Sequence, residues 1–260
     1  MAAFREVFPQ GTVHQAERNI GIALNFDRAE RYVFLRRGFP SAVFFEDDMV
    51  LSPHYLTVLQ QFLDFAASPA SGGMVGYVAA YGQHRATLDE QVRRRKEVVA
   101  MGHAWGYGVT RSHWLDVREV IDPYIKIVSD CDYRQRPKAK IGAVHKQLGL
   151  ATNALSQDAI KTIATFWLGR ARLMPVICQA RYIGQHGVNF TPEAFAKKGY
   201  GEEILFPEEQ NEFNWPDQAR LAAMVTKERT VMQELCNKAY GERELPPVPR
   251  GSFRADEHAL

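Results

Sequence analysis

Cysteine is scarce in this chain and forms no recognisable pattern. The three residues, Cys131, Cys178 and Cys236, are widely spaced and odd in number, with no CxxC pair and no Cys/His alternation. That argues against a disulfide framework and against a zinc module, and it points to a reducing compartment, so a cytoplasmic location is expected. Long hydrophobic runs are missing too. No apolar stretch reaches the ~18 residues that a membrane span requires, and no signal-peptide pattern follows Met1, so a soluble chain with no membrane span is expected. Net charge is nearly absent. Lys and Arg number 32 against 30 Asp and Glu, and the resulting +2 is too small to suggest a nucleic-acid partner. The one basic run, Arg93-Arg94-Arg95-Lys96, lies among Asp89, Glu90 and Glu97 and reads as the solvated face of a helix. Internal repeats, low-complexity blocks and linker-like segments are also lacking.

What remains is the composition of an ordinary globular protein, with 260 residues, 46% hydrophobic and 24% charged. That is enough for one sizeable domain with a buried core, placed at residues 1–243. A proline-rich tail, 244–260, is expected to be poorly ordered. Val13 to Leu35 reads as a helix, with Ile22, Phe26, Ala29 and Val33 on one face, broken at Gly38-Phe39-Pro40. Ser41–Phe45 is a short β-branched and aromatic run of the kind found in a central strand buried on both faces. Ser52-Pro53 marks the start of a helix to about Phe65. Met74–Ala80 reads as a strand, Arg111–Ile125 and Gln157–Leu168 as helices, and Pro175–Cys178 as a late strand. The alternation implies an α/β sheet flanked by helices, with ligands expected beyond the carboxyl ends of the strands.

At one such end stand Glu46, Asp47 and Asp48. Consecutive carboxylates repel one another, and a cation or several donors can offset that repulsion. Hard oxygen ligands suit Mn²⁺ or Mg²⁺, which hold few protein carboxylates and fill their shell with phosphate oxygens and water. The alternative is a plain acidic turn favouring a helix N-terminus.

The stretch from Arg31 through Tyr55, RYVFLRRGFPSAVFFEDDMVLSPHY, closely resembles the inverting GT-A glycosyltransferases of the N-acetylglucosaminyltransferase I family. There an apolar strand ends in Glu-Asp-Asp, followed by an apolar residue, a short spacer, Pro or Asp, and an aromatic. The resemblance implies a GT-A-like, Rossmann-related mixed sheet. It further implies that Asp48 binds the metal, and that Glu46 and Asp47 contact the sugar and ribose of a nucleotide-sugar donor. The implied reaction moves a sugar, N-acetylglucosamine in that family, from a nucleoside diphosphate (a UDP-sugar foremost) to a carbohydrate hydroxyl with inversion.

A general base is also needed, because an acceptor hydroxyl is a weak nucleophile until its proton is removed. The family has an Asp-Asp-Trp element before a segment with a strand, an Arg, a Gly and a Gly-Val-Ser loop. Here Gln157-Asp158 precedes FWLGRARLMPVICQARYIGQHGVNF, which makes Asp158 the corresponding base; read alone, Asp158 is equally a helix N-terminal acid behind Ser156. Gln157 replaces one acid of the family element, and the Trp is absent. Gly184 to Asn189 resembles the loop that closes over the donor phosphates, with Gly187, Val188 and Asn189 in place of Gly-Val-Ser and His186 where the family often has Lys. His186 reads either as a phosphate or metal contact or as a surface residue. Trp105, between Gly102 and Gly108, reads either as a platform on which a sugar ring stacks or as the buried centre of a tight turn.

The likeness runs from about residue 13 to residue 210. What it lacks is the opening strand-helix-strand unit that holds the nucleotide base in GT-A enzymes. FREVFPQGTVHQAERN has room for at most one strand, so a shortened form, a compact variant, self-association or a partner chain is expected. A nucleotidyltransferase is a same-fold alternative, but its Gly-rich phosphate loop is missing. From another class, a non-catalytic sugar- or nucleotide-binding subunit remains open.

Overall fold

A computed structural model of the protein describes residues 2–129, 131–147, 155–186 and 190–242; the proline-rich tail lies outside the described residues. The strands there are β1 (Ser41–Phe44), β2 (Met49–Leu51), β3 (Val75–Ala79), β4 (Val98–Ala100), β5 (Tyr107–Thr110), β6 (Ala171–Pro175) and β7 (Ala180–Tyr182). The helices are α1 (Ala2–Val7), α2 (Gly21–Arg31), α3 (Tyr55–Ala67), α4 (Leu88–Arg93) and α5 (Arg111–Ser129), then α6 (Lys138–Gln147), α7 (Gln157–Trp167), α8 (Pro192–Lys198) and α9 (Gln218–Tyr240). None of them is long and apolar enough to cross a membrane.

Five strands form one sheet in the order β1-β5-β3-β6-β4, and β2 pairs with β7 in a separate ladder. The sheet is mixed: β3 and β6 run parallel, while β1–β5, β3–β5 and β4–β6 are antiparallel. Helices cover both faces. On one, Tyr55, Leu59, Phe62 and Leu63 of α3 pack with Val78, Leu173 and the α9 residues Leu221 and Val225. On the other, Phe34, Tyr77, Tyr107, Val109 and Trp114 form one cluster. Val117, Ile121 and Tyr124 of α5 meet Ile160 and Ala164 of α7 in the next. Tyr77 and Val78 point to opposite faces, as the pleat requires. Each such fully buried aliphatic or aromatic side chain contributes ~1.5–3 kcal/mol. The architecture is therefore an α/β mixed sheet between helical layers, compatible with a Rossmann-like fold.

Several local expectations are corrected. β1 is not a central strand: among the described residues it pairs with β5 alone and lies at the sheet edge, with only Phe44 fully buried. Its apolar side chains serve the two faces of the sheet, and apolarity says nothing about how many hydrogen-bonded neighbours a strand has. The first long helix begins at Gly21, not Val13, because Asn19 Oδ1 accepts from Gly21 N–H at 2.9 Å and Gly21 takes a left-handed φ of 76°. It then widens into a π-helical turn over Tyr32–Arg36. Its buried residues are Ala23 and Glu30, whereas Ile22 is exposed. A carboxylate on the buried face hid that face from a reading based on apolar spacing. Ser52-Pro53 precedes the helix start at Tyr55, since the Ser52 hydroxyl is engaged with Gln179 and accepts from His54 N–H. The late strand is Ala171–Pro175; Pro175 is its last residue and not its first.

Candidate functional site

At Phe44 the chain leaves the five-stranded sheet, and Glu46, Asp47 and Asp48 form the turn into β2, which belongs to the other ladder. Glu46 and Asp48 are half-buried and Asp47 is exposed. In that ladder Met49 lies opposite Tyr182, and Ile183 N–H donates to the Asp48 carbonyl at 2.8 Å. The register therefore delivers the loop that follows β7 directly alongside Asp48. The Tyr182 hydroxyl hydrogen-bonds the Asp48 carboxylate, while Asp48 Oδ1 is buried with no hydrogen-bond partner. Burial raises the Asp48 carboxyl above its ordinary value, and the Tyr182 bond partly offsets this.

Gly184 is what allows this approach. A Cβ there would lie 2.3 Å from the Tyr182 hydroxyl oxygen and 2.6 Å from Asp48 Oδ2. Gly184→Ala is accordingly expected to force Tyr182 and Asp48 apart and to cost ~1–3 kcal/mol, the usual penalty of overpacking. Urea unfolding measures it, and a variant as stable as wild type would show that the loop relaxes freely.

Asp158 comes from the far side of the molecule's sequence. Ser156 caps α7, accepting from Ala159 N–H at 3.2 Å, and Asp158 lies in the first helical turn with Gln157 donating to its Oδ1. Burial raises the Asp158 carboxyl, opposed by the positive charges of Lys161 and Arg172. Its own charge reaches Glu46. The Glu46 carboxyl is pushed up to about 7 by burial first, then by Asp158, Asp48 and Asp47, with Lys161 opposing. The base candidate and the acidic turn thus share one electrostatic neighbourhood.

The Glu46 shift has a consequence for stability. Its folded value of about 7 lies above the ordinary 4.5. Its contribution is therefore complete below the unfolded value and is lost as pH rises through the folded one. Wild type should lose melting temperature relative to Glu46→Gln as pH rises from 4.5 to about 7, the window set by that shift. Thermal melts across that range check it; parallel curves for the two proteins would contradict the shift.

The Trp105 expectation is corrected in part. Its indole is stacked between His103 (centroids 4.7 Å apart, 12°) and Tyr182 (4.2 Å, 9°), so neither face is free for a sugar ring. Gly106, at φ 59°, closes the turn beneath it, and the Tyr55 hydroxyl donates to the Gly106 carbonyl at 2.5 Å. The tight-turn alternative describes the backbone here, although the indole is partly buried and not fully so. Trp105 still borders the site, because the Tyr182 ring on which it stacks is the one that holds Asp48. Burial, with the charges of His84, Lys198 and Arg172, lowers His103 to about 4 and so keeps it neutral near pH 7. His186 is exposed on the loop after β7, while Gly187, Val188 and Asn189 lie outside the described residues.

Sequence reasoning missed Glu30, Tyr107 and Lys161. The Lys161 ammonium donates to Glu30 Oε1 at 2.6 Å and to the Tyr107 hydroxyl at 2.7 Å, all within the protein interior. The available signal was Lys161 one helical turn after Asp158, on the same face.

No model of a known protein family matches the chain, and a search of curated proteins finds no match. Among the described residues no group of three His, Cys, Asp or Glu side chains converges as a metal cage. The Asp48 carboxylate nevertheless fits a hard cation, since its buried Oδ1 has no partner of its own. An ion that takes one or two protein carboxylates and completes its shell with phosphate and water requires no larger cage.

Proposed function

We propose that the chain is a GT-A-like, metal-dependent glycosyltransferase that moves a sugar, with inversion, from a nucleoside diphosphate donor to a carbohydrate hydroxyl. The observation that carries this reading is convergence. The acidic turn, the loop after β7 and the Trp105 turn are far apart in sequence, yet they meet at Asp48 and Tyr182, and the charge of Asp158 in the first turn of α7 acts on Glu46. Asp48 would hold Mn²⁺ or Mg²⁺, which when bound neutralises the diphosphate and eases its departure. Glu46 and Asp47 flank that position and would hydrogen-bond the donor's sugar and ribose. Asp158 would accept the acceptor's proton, within a site whose burial already raises its affinity for that proton. His186 and the residues that follow it would cover the phosphates.

The test is a panel of nucleotide sugars screened with and without Mn²⁺ for thermal stabilisation, followed by assay of sugar release. A ligand that binds only the folded state raises the melting temperature. Metal-dependent stabilisation with turnover supports the reading. Stabilisation without turnover would indicate a sugar- or nucleotide-binding subunit, and no response to any donor would remove the proposal.

A further inference from the structure

The ion pair between Glu30 and Lys161 takes no part in the reading above, yet it joins four elements. Glu30 is on α2, Tyr107 on β5, Trp114 on α5 and Lys161 on α7. Tyr107 donates to Glu30 Oε1 at 2.6 Å and Trp114 Nε1 donates to Oε2 at 3.2 Å, so the carboxylate that grips Lys161 is itself fixed on both oxygens. Glu30 is 1% and Lys161 7% exposed. A buried ion pair of this kind adds little net stability, because desolvation offsets most of the attraction, and apolar residues of equal volume would pack as well. Its chemistry is better explained by what it faces.

Lys161 follows Asp158 by one turn of α7, and both line a small cavity with Tyr77, Tyr107, Ala104 and Arg172. The charged and titratable groups that face Asp158 are Lys161 from its own helix, Arg172 from β6, Glu30 from α2 and Glu46 from the acidic turn, with the phenols of Tyr77 and Tyr107. Of the two cations, Lys161 has its head group fixed by two hydrogen bonds, whereas Arg172 Nε is buried without one.

We propose that Lys161 is the positioning residue for Asp158: anchored by Glu30 and Tyr107, it presents a fixed positive charge one helical turn away in the same cavity, which holds the Asp158 carboxylate in its proton-accepting form. The catalytic meaning of this rests on the reading of Asp158 as the base. The electrostatic coupling does not, so it is measured separately. Carbon-13 carboxyl NMR follows the titration of Asp158 in the full chain, its signal assigned by its loss in Asp158→Asn. Lys161→Met should raise the midpoint by ~1 pH unit or more, the usual effect of removing a close opposite charge. Lys161→Arg should hold it near wild type. Glu30→Gln removes the anion that offsets the ammonium and should move the midpoint down. An unmoved midpoint in Lys161→Met, or a raised one in Glu30→Gln, overturns the proposal, and the second variant decides should the first not fold. Where turnover is detected, the acid limb of its pH profile should follow the same shifts. A protein that shows the NMR shifts but no turnover with any donor would sink the transferase reading and leave the coupling intact.

Discussion

Asp48→Asn is expected to abolish metal-dependent donor binding while leaving the fold in place. The amide keeps the size and shape of the carboxylate, and it can still accept from the Tyr182 hydroxyl that hydrogen-bonds Asp48. What it loses is the negative charge that a hard cation requires. Burial works in the same direction, since Asp48 already holds its proton more tightly than a free carboxyl does. Removing an unfavourable buried charge should leave the variant at least as stable as wild type in the absence of metal. Affinity for UDP in Mn²⁺ should fall by more than the ~10–100-fold that loss of an outer-shell partner costs. Calorimetric titration, paired with a melt in metal-free buffer, reads both quantities. Unchanged affinity would sink the metal assignment.

Asp158→Asn carries the second large effect. Donor affinity should persist, and turnover should drop by ~10²-fold or more, the usual contribution of a general base. A second signature separates this from a general disturbance of the site. Asp158 is the largest charge-based cause of the rise at Glu46, so Asp158→Asn should bring the Glu46 titration down toward its ordinary value. Survival of turnover within a few-fold would move the base elsewhere. Glu203 is poorly placed to inherit the role, because the Tyr81 hydroxyl at 2.5 Å and Gly201 N–H at 2.9 Å already hold its carboxylate.

How much of this was legible in the chain depends on what each feature is made of. The acidic turn was visible because its carboxylates are consecutive and follow an apolar run, and the cap on α7 because Ser156 stands directly before it. The strand segments around Val75–Ala79 and Ser41–Phe44 were visible for the same local reason. Sheet order was not, since pairing is set between residues far apart and apolar content is shared by edge and central strands alike. The β2–β7 ladder escaped notice because each of its strands is only three residues long, too short for an alternating pattern. The Glu30–Lys161 pair was hidden by its own chemistry, for a buried charge interrupts the apolar stripe that betrays a buried face. Trp105 shows the opposite failure. Glycines around an aromatic suit an open platform or a tight turn alike, and only the flat rings of His103 and Tyr182, which cover it on both sides, decide between them.

The acidic turn is also a span of fixed length. It runs from Phe44, locked by pairing in the large sheet, to Met49, locked opposite Tyr182 in the small one. Both anchorages are registers, and a register admits only whole-residue steps that turn every side chain to the opposite face. Adding a residue between them, or removing Phe45, would leave all three acids present but aim them elsewhere, and Asp48 would part from the loop that follows β7. Spacing is therefore as much a determinant of this site as the identity of the carboxylates, and a chain that retains Glu-Asp-Asp in a turn of another length would retain the letters without the geometry.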